Sequence, residues 1–352
     1  MNLYLEEVLQ KIENCIYSKP GYNIDQLCWD IQDINDFSEK CAEKIDMPTV
    51  VIPILCDIKF EWEKKMQAAR FSSYYLQNAD KFENIKTIFY DDDSKKLLEW
   101  LIKRNLAYMI CGDIAKRILD MPKGVIQIKE RDFISNFQNI YQIENMKIYT
   151  CETEIYDTWI REQYLLKGIC EPEKGDIVIS VGAFYGETSI WFSKMVGTTG
   201  RVYAFEAVAK NAWVADCNCK RNKIQNVIVE NICLWSSCRK VFIQPQGASS
   251  CVSHENSEIL SEAITLDVYC CKNGIEKVDF IKMDIEGAEY EVLCGAEQTI
   301  KRNKPKLAIC VYHSAEDFII VPKKIKEFVP NYKLFLSHKR EDLMETVVFA
   351  VI

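Results

Sequence analysis

From about residue 175 onward, short apolar runs alternate with helical stretches. The runs "DIVISVG" (176–182), "RVYAFE" (201–206), "NVIVEN" (226–231), "VDFIKMD" (278–284) and "KLAICVYH" (306–313) are strand-like. Helical patterns fill 187–196, 208–221, 287–300 and 315–328. On the first of these Ile190, Trp191 and Met195 share a face; on the third Ala288, Val292, Leu293, Ala296 and Ile300 do. Alternation of this kind predicts an α/β fold with a mainly parallel, doubly wound sheet. The last two runs, "YKLFLSH" (332–338) and "ETVVFAVI" (345–352), are joined only by "KREDLM". They predict an antiparallel hairpin at one edge of the sheet. Between 240 and 270 the rhythm breaks into a strand, a polar loop rich in Ser, Gln and Gly, and a second strand. Long polar loops inside compact α/β domains are more often functional than idle.

Residues 1–150 read as a mostly helical N-terminal domain suited to docking a substrate or partner, and 151–352 as the domain that carries the chemistry. In the first part "LLEWLIKRNLAYMI" places Leu97, Leu98, Leu101, Ile102, Tyr108 and Met109 at helical spacing, behind an N-cap in "YDDDS". The segment "TVVIPILCD" (49–57) is strand-like, but Pro53 demotes it to an edge strand or loop. Trp191 and Trp213 fall on helical faces and are expected in the core.

Charge narrows the partners. The net charge is −8 over 352 residues, with no basic patch, which argues against nucleic acid. No run approaches the roughly 20 apolar residues that cross a bilayer, and the N-terminus lacks a secretory pattern. A soluble, cytoplasmic protein with no membrane partner is expected. The sixteen cysteines are scattered, none in a C-x-x-C pair, so no metal site is expected and the thiols read as reduced.

Open parallel sheets bind ligands at the carboxyl ends of their strands. There Gly182 ends the first strand, Gly186 opens the next helix, and Glu206 ends the second strand. A carboxylate so placed accepts hydrogen bonds from a ribose, but the three-glycine pyrophosphate cradle is missing. An adenosine with a zwitterionic tail and no phosphate fits, which describes S-adenosylmethionine. Phe184 and Tyr185 in the glycine turn are placed to stack on such a cofactor or to cap an acceptor pocket. In "VDFIKMDIEGAEYEVLCGA" Asp284, Glu286 and Glu289 gather at a strand end and a helix's first turn, where the helix dipole favours negative charge. His254 and His338 read as ordinary structural histidines.

Taken together, "VGAFYGETS", "VYAFEA", "TLDVYC", "VDFIKMDIEGAEYEVLCGA" and "LAICVYH" resemble the FkbM-type methyltransferases over roughly residues 155–352. The resemblance implies a class I, Rossmann-like, S-adenosylmethionine-dependent methyltransferase domain in 151–352. It implies that Gly182 and Gly186 line the methionine end, that Glu206 holds the ribose, and that Asn231 and Ile232 lie near the adenine. Asp284, Glu286 and Glu289 would wall the cofactor from the acceptor, with His313 on the acceptor side. At Ser180, counted among the cofactor residues, the family usually carries Asp; at Ala207 it usually carries Pro. The activity implied is O-methylation of a hydroxyl on a small molecule, sugar or glycan. His313 is the first candidate base and Glu286 the second; Asp284 completes the catalytic set. Two alternatives stand beside this one: transfer to another acceptor atom, including aminopropyl transfer, and a catalytically silent binding module.

Overall fold

The computed structural model describes residues 3–4, 7–8, 10–11, 51–112, 115–126, 139–244, 251–253 and 259–352. The polar loop around His254 lies outside the described residues. The chain divides into two compact units, Met1–Ala79 with Leu98–Lys123, and Asp80–Leu97 with Gly124–Ile352.

The first unit is helical where described. Helix α1 spans Val51–Gln77, and helix α2 (Ala79–Lys86) begins at its last residue. Helix α3 (Asp92–Cys111) contributes its first turn to the second unit and the rest to the first. Asp91 caps it, accepting from the Ser94 N–H at 2.9 Å. Helix α4 is the short Ala115–Ile118. Of the segment 49–57, expected as an edge strand or loop, the described residues 51–57 are helical instead and belong to α1. Pro53 sits in its first turn, where the missing N–H has no partner to lose and the fixed φ suits a helix.

The second unit opens with a hairpin absent from the sequence reading, β1 (Ile140–Ile143) and β2 (Met146–Tyr149), turned at Glu144 with φ 52°. Helix α5 (Glu152–Ile155) runs into a π-helical turn, Tyr156–Ile160. Then come β3 (Ile177–Val181), α6 (Glu187–Val196), β4 (Arg201–Phe205), α7 (Ala209–Arg221) and β5 (Val227–Glu230). A smaller sheet follows, from β6 (Cys233–Leu234), β7 (Arg239–Gln244), β8 (Cys251–Ser253) and β9 (Ile259–Ile264), in the order β6-β9-β7-β8. The run expected to continue β9 as strand turns instead into α8 (Leu266–Lys272), because Thr265 caps it, its hydroxyl accepting from the Val268 N–H at 3.0 Å. Next are β10 (Phe280–Met283), α9 (Glu289–Cys294), α10 (Glu297–Asn303), β11 (Lys306–Cys310), α11 (Asp317–Phe328), β12 (Lys333–His338) and β13 (Thr346–Val351).

The main sheet has seven strands in the order β12-β13-β11-β10-β3-β4-β5. From β11 to β5 every pairing is parallel; β13 is antiparallel to both β11 and β12. The expected C-terminal hairpin is present, with its second strand inserted between β11 and β12. All four residues of β10 are buried, the signature of a central parallel strand covered on both faces. Val178, Phe192, Phe280, Ala308 and Phe349 belong to one core cluster across this sheet. The predicted α9–α10 face is buried throughout, at Ala288, Val292, Leu293, Ala296 and Ile300. It is divided into two helices near Gly295, which lies against Trp235: a Cβ there would stand 2.1 Å from the Trp235 carbonyl oxygen.

Trp191 is in the core as expected, whereas Trp213 is 67% exposed. Helix α7 buries Asn211, Ala212, Val214, Ala215, Asn218 and Cys219, which leaves position 213 on the outward side. The cysteines whose side chains are described are free. No helix among the described residues is long and apolar enough to cross a membrane.

Candidate functional site

The chain leaves β3 for β4 and β5 on one side and reaches β10 and β11 on the other. Strand order therefore reverses between β3 and β10, where an open α/β sheet places its ligand crevice. A cavity of about 210 Å³ lies at this point. Val181, Gly182 and Phe184 from the β3 end line it, with Phe205 and Glu206 from β4, and Lys282, Asp284 and Glu286 from β10.

The glycine turn is fixed by close approach. Gly182 has φ 77°, and a Cβ on it would fall 1.8 Å from the Asp284 carbonyl oxygen. Phe184 takes φ 47°, a strained conformation for a non-glycine residue. It is held there by its N–H, which donates to Glu206 Oε2 at 2.9 Å. The other oxygen of Glu206 accepts from the Val208 N–H at 2.9 Å. One carboxylate thus ties the β3 turn to the start of α7. Burial pushes the Glu206 carboxyl up, against the pull of those N–H groups.

Six of the sequence-derived candidates border the cavity: Gly182, Phe184, Glu206, Ile232, Asp284 and Glu286. The others support it from behind. Ser180 is fully buried and accepts from the Ser189 hydroxyl at 3.2 Å. Gly186 faces α7, its absent Cβ 3.0 Å from that of Ala215. Tyr185 stacks on Phe184 at 3.8 Å between ring centroids. Asn231 donates to the carbonyls of Glu206 and Ala207 at 2.9 and 3.1 Å, shaping the loop beyond β4. His338 bonds Thr346 and the Asp342 carbonyl, each at 2.9 Å.

His313 stands behind the carboxylates. Its Nε2 lies 3.4 Å from Asp284 and 3.5 Å from Glu286, and its Nδ1 lies 3.1 Å from Glu289. Burial pulls its pKa down, but Glu289 and Asp284 together hold it well above the ordinary histidine value. That shift favours the imidazolium, the form with no lone pair to accept a proton. Ligand atoms of Asp284, Glu289 and His313 gather within 4.8 Å, close enough to share one cation.

The three carboxylates differ. Burial raises Asp284, but His313, Lys282 and the Tyr164 hydroxyl outweigh it and hold the group well below the usual range. Tyr164 and Tyr312 both point their hydroxyls at it. Glu289 is fully buried, its Oε1 accepting from the Ile285 N–H at 2.8 Å. Glu286 borders the cavity in the left-handed region, φ 57°. Burial, helped by Asp284 and Glu289 and opposed by His313, pushes it up to about 7. Such a carboxyl can both hold and release a proton near neutrality.

Several lining residues had not been singled out from the sequence: Glu154, Tyr164, Glu187, Lys282, Tyr312 and Glu345. Only Lys282 carried a signal, a charge inside the otherwise apolar "VDFIKMD". Its ammonium donates to the carbonyls of Val181 and Gly182 at 3.2 and 2.7 Å. It is the one cation among the cavity-lining residues, against six carboxyl groups. That balance suits a cationic ligand and disfavours a pyrophosphate.

The family model described as "Methyltransferase FkbM domain" matches residues 180–334. Among solved structures, the chain is similar to methyltransferase FkbM from Methylobacillus flagellatus KT, with a TM-score of 0.55 and 19% identity over 80% of this chain. This chain spans 61% of that protein's length. The likeness establishes the class I methyltransferase fold. Weaker likenesses are to fibrillarin from Aeropyrum pernix, which carries natively bound S-adenosyl-L-methionine (TM-score 0.35, 14% identity, 54% of this chain and 73% of that one), and to an O-methyltransferase from Bacillus cereus in complex with SAH (0.35, 14%, 58% and 82%). No curated protein matches the chain.

Proposed function

We propose, from the match of residues 180–334 to the FkbM methyltransferase domain model, that this chain is an S-adenosylmethionine-dependent methyltransferase acting on a hydroxyl of a small molecule, sugar or glycan. The observation that carries the reading is the convergence of Glu206, Gly182 and the Asp284–Glu286 turn on one acid-lined cavity at the sheet's reversal point. The lining fits the cofactor in chemistry: a carboxylate for ribose hydroxyls, apolar Phe205, Ile232 and Leu234 for a base, and acids for a cation. When bound, S-adenosylmethionine supplies a methyl group on a sulfonium, a good leaving group for in-line displacement by an oxygen.

The chain's own residues do the rest. Phe184, Glu206 and the loop shaped by Asn231 hold the nucleoside end. Glu286 takes the proton from the acceptor hydroxyl, a role worth about 10²–10⁴-fold in such reactions. Asp284 stays ionised beside Tyr164 and Tyr312 and favours positive charge in the crevice. His313, already protonated, positions Asp284, Glu286 and Glu289 and does not act as the base. A cytoplasmic setting agrees with the free thiols.

The test is transfer of isotopic methyl from S-adenosylmethionine to a panel of sugars, polyketides and amines. Labelled hydroxyl products support the reading. Tight cofactor binding with no transfer to any acceptor class favours the silent binding module, and transfer confined to amines refutes O-methylation.

A further inference from the structure

S-adenosylmethionine ends in an amino acid, so any cleft that holds it needs a partner for an ammonium and another for a carboxylate. Ser180 supplies neither: it is fully buried, and its hydroxyl is engaged by Ser189 on α6. The cavity wall above it is built differently. Glu187, the first residue of α6, is 1% exposed yet lines the cavity. Glu154, on α5, lines it as well. Two carboxyl groups set into one enclosed wall repel each other when both are charged, an arrangement that favours a proton on one of them or a cation between them. The Thr150 hydroxyl donates to the Glu187 carboxylate over a long 3.5 Å. Lys282 stands in the same cavity with its ammonium on the carbonyls of Val181 and Gly182. An ammonium has three donors; those carbonyls use two, and the group also lies 4.8 Å from the centre of the Tyr164 ring, a weaker contact that a ligand carboxylate can replace.

We infer that Glu187, backed by Glu154, receives the α-ammonium of the cofactor, and that Lys282 receives its α-carboxylate, so that two groups far apart in sequence form the amino-acid subsite. This rests on the proposed cofactor and deepens it. Ligand order along the sheet agrees, since Glu206 lies beyond β4, the glycine turn in the middle, and Lys282 on β10. The ammonium displaces the proton that one of the two carboxyl groups carries, and that proton leaves to solvent. The subsite replaces hydration of the ligand's ammonium with charge-assisted hydrogen bonds.

The test uses the full chain and calorimetric titration with three ligands: S-adenosylhomocysteine, its analogue lacking only the ammonium, and 5′-methylthioadenosine, which lacks the whole amino-acid end. In the unmodified chain the deaminated analogue is expected to bind at least tenfold more weakly than S-adenosylhomocysteine. In Glu187→Gln that ratio is expected to fall to about twofold, with methylthioadenosine affinity unchanged within about twofold. Equal binding of S-adenosylhomocysteine and the deaminated analogue by the unmodified chain overturns the inference without any variant. So does equal loss of all three ligands in a folded Glu187→Gln protein. Failure of the unmodified chain to bind any of the three refutes the proposed cofactor instead, and the subsite with it.

Discussion

The backbone carbonyl of Asp284 and the α-carbon of Gly182 meet so closely that a Cβ at position 182 would stand 1.8 Å from the carbonyl oxygen. This contact locks the end of β3 to the end of β10, and both walls of the candidate cofactor cavity depend on it. Gly182→Ala adds a methyl where there is no room, in a left-handed conformation. The expected cost is about 3 kcal/mol or more, from overpacking and backbone strain together. Denaturant unfolding measures it, and a stability within about 1 kcal/mol of the parent contradicts the contact's importance.

His313 sits among Asp284, Glu286 and Glu289 with its side chain 7% exposed. His313→Gln leaves those carboxylates without their cation, and breaking such a buried pair costs about 3–5 kcal/mol. The sign with pH follows from its raised pKa. The stabilisation is fully present below the unfolded value near about 6.5, and it is lost as pH rises through the folded value. Unfolding of the two proteins across pH 5 to 10 is expected to converge at the alkaline end. A constant gap contradicts the imidazolium.

Glu286 is held at about 7, and as a base it must be ionised. Turnover is therefore expected to rise with pH through that region. Glu286→Gln is expected to lower kcat by about 10²–10⁴-fold, with cofactor affinity nearly unchanged and the pH dependence flattened. A larger loss in His313→Gln at unchanged fold, with Glu286→Gln active, reverses the assignment of the base.

Glu206 accepts two backbone N–H groups at 2.9 Å each. An amide at this position keeps one acceptor and sets an NH₂ against the other donor. Hydrogen bonds to a charged group contribute about 1.5–3 kcal/mol, so Glu206→Gln is expected to weaken nucleoside binding by about tenfold or more. Because Glu206 is assigned to the ribose, which both ligands carry, methylthioadenosine and S-adenosylhomocysteine are expected to lose affinity alike. Loss confined to the latter contradicts its assignment to the ribose.

The parallel strands were legible because each is a compact apolar run flanked by glycine or charge, and Ser180, Gly182 and Glu206 fall at their ends. The hairpin Ile140–Tyr149 was not legible, since four-residue strands carry too little alternation to stand out from helix. Pro53 misled because a proline's meaning depends on whether a helix begins just before it. In the site, the carboxylates of "MDIEG" were visible as residues, but their differing protonation was not. That difference arises from the burial of Glu286 and from His313, Lys282 and Tyr164 around Asp284, environments set by the packing of other elements. Glu187 was overlooked beside Gly186 because an acid in a first helical turn has an ordinary explanation in the dipole; its burial in a cavity is a tertiary fact.

The central claim is that this cavity takes an adenosyl sulfonium and not a phosphorylated nucleotide. Calorimetric titration of the purified chain with S-adenosylhomocysteine, alongside ADP and NAD, tests it most directly. The account predicts one saturable site for S-adenosylhomocysteine, lost in Gly182→Ala, and no heat from the other two. Binding of ADP or NAD at that site, or none of S-adenosylhomocysteine, contradicts it.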